Sequence, residues 1–313
     1  MKVNSFMTKI FIDGSAGTTG LRIRERLSER RDVELIALPE EMRKDENARR
    51  EALNRADVAF LCLPDAAAVE AVAMIENDHT AVIDTSTAHR TAPGWVYGFP
   101  EVGSLRERIR QSKRIANPGC HASGFIALVA PLVRAGLLDA GAQLTCFSLT
   151  GYSGGGKKMI AEYEGSDRNP LLDAPRQYGL SQRHKHLPEM AAISGLNAPP
   201  CFCPIVADFY SGMEVTVPLF ASQLHGSVQQ IQEIYREAYA GPVVRFAEAP
   251  DEGGFLSAAA LSSSDAMEIS ISGNDDRILL TARYDNLGKG ASGAAIQNLN
   301  LLLGADETEG LVL

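Results

Sequence analysis

What this chain lacks narrows its function before any motif is read. It has no basic block, and acidic residues outnumber basic ones 39 to 30, for a net charge of −9. Reading nucleic acid requires a clustered positive face, so no nucleic-acid partner is expected and any anion site has to be assembled locally. No run of about 18 apolar residues occurs, so no membrane-spanning helix is expected. Residues 1–8 hold no apolar core followed by a small-residue cleavage site, which points to the cytoplasm. The five cysteines, at 62, 120, 146, 201 and 203, show no framework spacing and suit a reducing compartment where thiols stay free. Internal repeats and low-complexity segments are also missing. What remains is a chain of 313 residues, 45% of them apolar, too long for one small domain and able to bury two cores. Its partners should be small molecules.

Periodicity gives the organisation. Residues 9–13 read as a short buried strand, 14–20 as a glycine turn and 21–31 as an amphipathic helix. Strands follow at 33–38, 58–63 and 81–84, with helices at 43–55 and 66–76 between them. This alternation implies right-handed crossovers and a parallel, doubly wound, Rossmann-like sheet over residues 1–117. Beyond residue 120 the texture changes. Segments 144–150, 213–220, 267–272 and 277–284 are strand-like, the last two joined by the hairpin signal Gly273-Asn274-Asp275-Asp276. A mixed or antiparallel sheet, covered by a helix after residue 120 and another over 228–239, gives a second, α+β domain spanning 118–283. The tail 290–303 is small and apolar at helical spacing, so 284–313 is expected to pack back and complete the first domain.

Asn117-Pro118-Gly119-Cys120 is the sharpest chemical signal. Pro-Gly forces a turn, and the apolar run that follows is long enough for a buried helix. Cys120 is thus expected at a helix start, where free N–H groups and the helix dipole favour thiolate, a nucleophile near neutral pH. Gly14-Ser15-Ala16-Gly17-Thr18-Thr19-Gly20, between a strand and a helix, has the context of a dinucleotide-binding turn, spaced G-x-x-G-x-x-G. After the second strand, Glu40 would suit NAD, whereas Arg43 or Lys44 could take the 2′-phosphate of NADP.

Gly151-Tyr152-Ser153-Gly154-Gly155-Gly156-Lys157 fits a phosphate loop, but Lys158 stands where Mg²⁺ needs a hydroxyl. That counts against a kinase-like ATPase and leaves a glycine nest beside Lys157 and Lys158 for an anionic group such as an acyl phosphate. His184-Lys185-His186-Leu187-Pro188-Glu189 ends an extended segment at a helix start, with the two histidines on one side. One could serve as acid/base toward Cys120 while the other orients it or binds substrate. A zinc site completed by Cys201 and Cys203 fits no common spacing, so no metal is expected. Arg90, past the fourth strand, could clamp a carboxylate or serve as an ordinary salt-bridge partner.

Taken together, these motifs, with Tyr97-Gly98-Phe99-Pro100-Glu101 and residues 285–298, resemble the N-acetyl-γ-glutamyl-phosphate reductases of arginine biosynthesis in their shorter form, relatives of the aspartate-semialdehyde dehydrogenases. The resemblance runs almost end to end. It implies NADP(H), a thioester on Cys120, His184 or His186 as acid/base, and a return of residues 285–298 to the coenzyme site. Coenzyme contacts are implied at Gly14, Ser15, Gly17, Thr18, Thr19, Gly20, Arg43, Ser86, Asn286 and Gln297, and acyl-phosphate contacts at Arg90, Gly154, Gly155, Lys157 and Lys158. A homo-oligomer, dimer or tetramer, is implied as well. His121 stands where longer relatives carry an aromatic residue, and Ala88-His89 where they carry a carboxylate; Gly119-Cys120-His121 leans toward the acetylglutamyl branch. The alternatives are an aspartate-semialdehyde dehydrogenase or related acyl-phosphate reductase, and a non-catalytic NADP(H)-binding redox sensor.

Overall fold

In the computed structural model, which describes residues 7–250 and 252–313, the chain builds two sheets that meet at the Cys120 turn. Residues 1–6, part of the stretch read for a leader, lie outside the described residues. The first half runs β1 (Thr8–Asp13), α1 (Thr18–Ser28), β2 (Val33–Ile36), α2 (Glu46–Arg55), β3 (Val58–Leu61), α3 (Asp65–Ala73), β4 (Ala81–Asp84), β5 (Val96–Tyr97), α4 (Leu105–Gln111) and β6 (Arg114–Ala116). These strands form an all-parallel sheet in the order β2-β1-β3-β4-β6-β5. Its central strands are buried on both faces, as helices on either side require. Ile10, Ile12, Phe60 and Ile83 enter the larger core, while Phe11, Ala59, Leu61 and Val82 pack under α2 and α3.

The second half runs α5 (Cys120–Arg134), β7 (Thr145–Gly151), α6 (Gly156–Glu164), β8 (Arg176–Gln177), α7 (Leu187–Ser194), β9 (Cys201–Ala207), β10 (Met213–Phe220), α8 (Val228–Ala238), β11 (Val244–Phe246), β12 (Met267–Gly273), β13 (Arg277–Tyr284) and α9 (Gly293–Leu303). Its mixed sheet has the order β11-β12-β13-β10-β7-β9-β8. Helix α5 is apolar nearly all round and is buried between this sheet and its neighbours, with Tyr235 and Tyr239 of α8 donating to the Leu128 and Ala127 carbonyls at 2.5 Å each. Helix α9 lies against α4 and β4, where Asn298 Nδ2 donates to the Gly98 carbonyl at 2.9 Å. No helix among the described residues is long and apolar enough to cross a membrane.

The α/β fold class agrees with the sequence reading, and the hairpin of β12 and β13 turns where expected. Several elements differ. Strands β5, β6, β8 and β11 are two or three residues long, too short to show a period. The Cys201-Phe202-Cys203 segment, weighed above as half of a metal site, is the start of β9, paired in parallel with β7. The glycine-lysine loop after β7 is a single 3₁₀ turn over Tyr152–Gly155 running into α6.

Candidate active site

Because the first sheet is parallel, the loops after β1, β3, β4 and β6 gather at one edge, the place where such sheets take ligands. There Asn117 N donates to the Asp84 carbonyl at 2.7 Å and Asn117 Nδ2 to the Ala291 carbonyl at 3.0 Å, fixing the turn between β6 and the segment before α9. Gly119 has extended dihedrals, so crowding rather than a positive φ demands glycine. A Cβ there would collide with Arg90 and fall 2.5 Å from Glu189 Oε1 and 2.6 Å from His186 Nε2.

Cys120 opens α5, half-buried, and its carbonyl accepts from Tyr284 OH at 2.5 Å. The helix start by itself was expected to lower the thiol's pKa. Instead burial pushes it up, while Arg90 and the His121 N–H pull it back. Full thiolate character therefore calls for a base.

Glu189, in the first turn of α7, joins the parts. Its Oε1 accepts from Arg90 Nη1 at 2.6 Å, and its Oε2 accepts from Tyr97 OH at 2.6 Å and Gly119 N at 3.1 Å. Arg90 is buried, with Nε donating to the Asn117 carbonyl at 3.0 Å and Nη2 to the Thr85 carbonyl at 3.1 Å. The fork is thus built into the site and still borders the cavity. His184 and His186 do not lie on an extended segment, because His186 already has helical dihedrals as the N-cap of α7. Their rings nonetheless meet at 4.7 Å, beside His121. Burial holds both below the usual histidine range, helped at His184 by Lys185 and at His186 by Arg90, so both are neutral bases at neutral pH. His186 Nδ1 is buried without a partner among the described residues.

Three neighbouring hollows follow one another along a trough, adjacent ones sharing lining residues. The first, lined by Ser15, Leu38, Arg43 and Lys44, meets the second at Leu63; the second, along Gly17, Thr18, Thr19 and Gly20, shares Thr19, Thr85, Gly154 and Leu287 with the third. The third, about 280 Å³, holds Cys120, both histidines, Arg90, Gly154, Gly155 and Asn286. The glycine turn fits a coenzyme cradle. Gly14 has φ +84° and a Cβ there would strike the Cys62 carbonyl, while one at Gly20 would fall 2.5 Å from the Gly14 carbonyl. The α1 N-terminus, capped by no side chain, faces this trough as an anion site.

The chain matches the family models described as "Semialdehyde dehydrogenase, NAD binding domain" over residues 9–112 and "Semialdehyde dehydrogenase, dimerisation domain" over 120–286. It is 48% identical to the N-acetyl-gamma-glutamyl-phosphate reductase of Chelativorans sp., over 94% of this chain and 98% of that one. It is also 45% identical to N-acetyl-gamma-glutamyl-phosphate reductase 2 of Nostoc sp., over 97% of this chain and 99% of that one. The chain belongs to the N-acetyl-γ-glutamyl-phosphate reductase family. Its fold is that of aspartate semialdehyde dehydrogenase II from Vibrio cholerae, at TM-score 0.73 and 16% identity over 96% of this chain and 99% of that one. The Candida albicans enzyme, solved with NADP, aligns at TM-score 0.65 and 17% identity over 96% and 99%.

Within this member of the reductase family, some of the residues expected at the site stand away from the trough. Ser86 turns from the trough and donates to Asp84 Oδ2 at 2.6 Å, while Thr85, one step along, lines the cavity. Gln297 is held in a buried network, its Oε1 accepting from Lys289 at 2.5 Å and its Nε2 donating to Glu101 at 2.7 Å; it does not line the trough. Lys157 and Lys158 project to solvent from the first turn of α6. Lys185, between the two histidines, is the lysine that borders the cavity. Asn286 ties the glycine nest to the end of β13, accepting from Gly212 N at 2.9 Å and donating to Ser153 Oγ at 3.0 Å. His89 packs outside the cavity, stacked on Trp95 at 4.0 Å with Nδ1 2.6 Å from Asp84 Oδ2. Sequence reasoning gave no role to Glu189, Tyr178 or Tyr284. Glu189 had a signal, since it lies three residues after His186 on one helix face; the tyrosines had none.

Proposed function

We propose that this chain reduces N-acetyl-γ-glutamyl phosphate to the γ-semialdehyde, with NADPH as coenzyme and Cys120 as covalent nucleophile. The observation that carries the reading is the trough that ends on Cys120 in a cavity whose lining, among the described residues, holds Arg90 and Lys185 but no carboxylate. His184 or His186 takes the thiol proton, both being neutral. Sγ then bonds to the acyl carbon, the bond to the phosphate oxygen breaks, and phosphate leaves with that electron pair. Arg90 donates three of its five N–H groups to the protein, which leaves two for the anionic substrate. The backbone of Gly154 and Gly155 adds a nest for the phosphate. Residues Gly14, Ser15, Gly17, Thr18, Thr19 and Gly20 would hold the coenzyme pyrophosphate, with Arg43 at the far end of the trough. Bound NADPH supplies a hydride for the thioester carbon.

On this reading residues 1–117 with 284–313 form the coenzyme domain, and 118–283 form the substrate and assembly domain. The outer face of the second sheet supports a second copy of this chain as its cover. Phe147, Thr216, Pro218 and Leu279 share that face by register, with Phe147 and Leu279 46% and 41% exposed. Five free thiols fit action in the cytoplasm.

The cavity chemistry selects the substrate. An N-acetylated substrate presents a neutral amide, whereas aspartyl phosphate brings an ammonium that would find no free carboxylate in the cavity lining among the described residues, since Glu189 is already engaged by Arg90, Tyr97 and Gly119. The test is the reverse reaction, NADP⁺ reduction with each semialdehyde, with and without phosphate. A phosphate-dependent rate strongly favouring N-acetylglutamate semialdehyde is expected. Comparable kcat/KM for the two, or a preference for aspartate semialdehyde, overturns it.

A further inference from the structure

Acyl transfer to Cys120 puts negative charge on the substrate's carbonyl oxygen, and two backbone N–H groups nearby are already engaged. The His121 N–H points to the Cys120 sulfur, and the Gly119 N–H donates to Glu189 at 3.1 Å. The cavity wall offers a different donor. Tyr178 lines it, with its phenolic oxygen 2.6 Å from His121 Nε2, and His121 Nδ1 lies 2.6 Å from Ser148 Oγ. His121 and Ser148 are both buried, and burial takes His121 down to about 3, so this imidazole is neutral and has one N–H and one lone pair.

Only one direction of this chain gives every buried donor in it an acceptor. If Nδ1–H donated to Ser148, the serine hydroxyl hydrogen would be buried with no acceptor among the described residues, and the phenol hydrogen would point away from the cavity. In the other direction Ser148 donates to Nδ1 and Nε2–H donates to the Tyr178 oxygen. The phenol hydrogen is then free to point into the cavity.

We propose that Tyr178 is a further catalytic residue, the oxyanion donor of acyl transfer, and that His121 and Ser148 are the positioning residues that aim its O–H. As Sγ bonds to the acyl carbon, the carbonyl π pair moves onto oxygen and receives the Tyr178 hydrogen bond. When the bond to phosphate breaks, that pair returns to re-form C=O, and the phenol keeps its proton throughout. The inference rests on the acyl-phosphate reading above.

The test needs no coenzyme. Enzyme is mixed with freshly prepared N-acetylglutamyl phosphate without NADPH, quenched at intervals, and the thioester on Cys120 is followed by intact mass. Iodoacetamide alkylation of Cys120, which forms no oxyanion, is timed in parallel. Tyr178→Phe should acylate about 10²–10³-fold more slowly, the usual cost of losing one oxyanion donor, while alkylation stays within about threefold. His121→Phe should slow acylation similarly, and His121→Gln, whose amide can still donate to the phenol, should recover part of the rate. Acylation of Tyr178→Phe at the wild-type rate overturns the proposal, as does equal slowing of acylation and alkylation. If wild type forms no thioester, the reductase reading fails and takes this inference with it.

Discussion

On the proposed reading, Cys120 owes its reactivity to its neighbours more than to its helix. Burial raises its thiol, and Arg90, the His121 N–H and a neutral histidine bring it back into use. Cys120→Ala should leave NADPH affinity within severalfold of wild type and remove turnover, and Cys120→Ser should do nearly the same, since an alcohol is far less ionised near pH 7. Retained activity above a few per cent in a steady-state assay would sink the thioester. The histidines beside it predict a pH effect on stability. His121 is pushed to about 3, and His184 and His186 lie below their ordinary range. The unfolded chain, protonating these groups near 6.5, binds more protons than the native state below that pH, so stability falls as pH drops from about 6.5 toward 3. Thermal melts should show a lower Tm at pH 5 than at pH 7.5, with a smaller drop in His121→Asn; an equal drop would move the effect to other groups.

Among the elements, on the proposed reading, the turn from β1 into α1 and the turn before α2 together bind the adenosine end of the coenzyme. Arg43 and Lys44 line the hollow beside Ser15, and so does Arg24 on the exposed side of α1. Asp13 at the end of β1 is neutralised by Arg49 at 2.8 Å, so it adds little repulsion toward a phosphate. Losing a charge-assisted phosphate contact should cost about 1.5–3 kcal/mol, roughly one to two decades in affinity. Titration of NADPH and NADH into Arg24→Ala, Arg43→Ala and Lys44→Ala should show a selective NADPH loss in at least one. A preference that survives all three places the phosphate elsewhere along the trough.

The whole molecule brings the two sheets together so that the loop after β6, the start of α7 and the segment before α9 close on one point. Gly290 marks that closure, since a Cβ there would lie 3.1 Å from Cys120 Cβ. The same architecture leaves one sheet face uncovered. Cross-strand neighbours Phe147 and Thr216, then Pro218 and Leu279, make an apolar strip that a second copy would bury. Sedimentation should find a dimer or larger in wild type, and Phe147→Asp with Leu279→Asp should yield monomer. An unchanged mass in the double variant would assign assembly to another surface.

Local chemistry was legible in the sequence because its physics is local. A glycine turn between β1 and α1, a Pro-Gly turn before an apolar helix, and strand–helix alternation each announce themselves within a few residues. Short edge strands were not legible, because two or three residues carry no period and are held by their neighbours' ladders. Nor was the direction in which a side chain points: Ser86 and Thr85 are adjacent, yet only Thr85 reaches the cavity. Gln297 read as a coenzyme contact, and its burial beside Lys289 and Glu101 could not be seen from spacing. Above all, the Tyr178–His121–Ser148 chain and the Glu189 hub join residues far apart in sequence. The residue types were fixed by the sequence. The hydrogen-bond partners and electrostatic surroundings that give those residues a function were set only when the two sheets packed against each other.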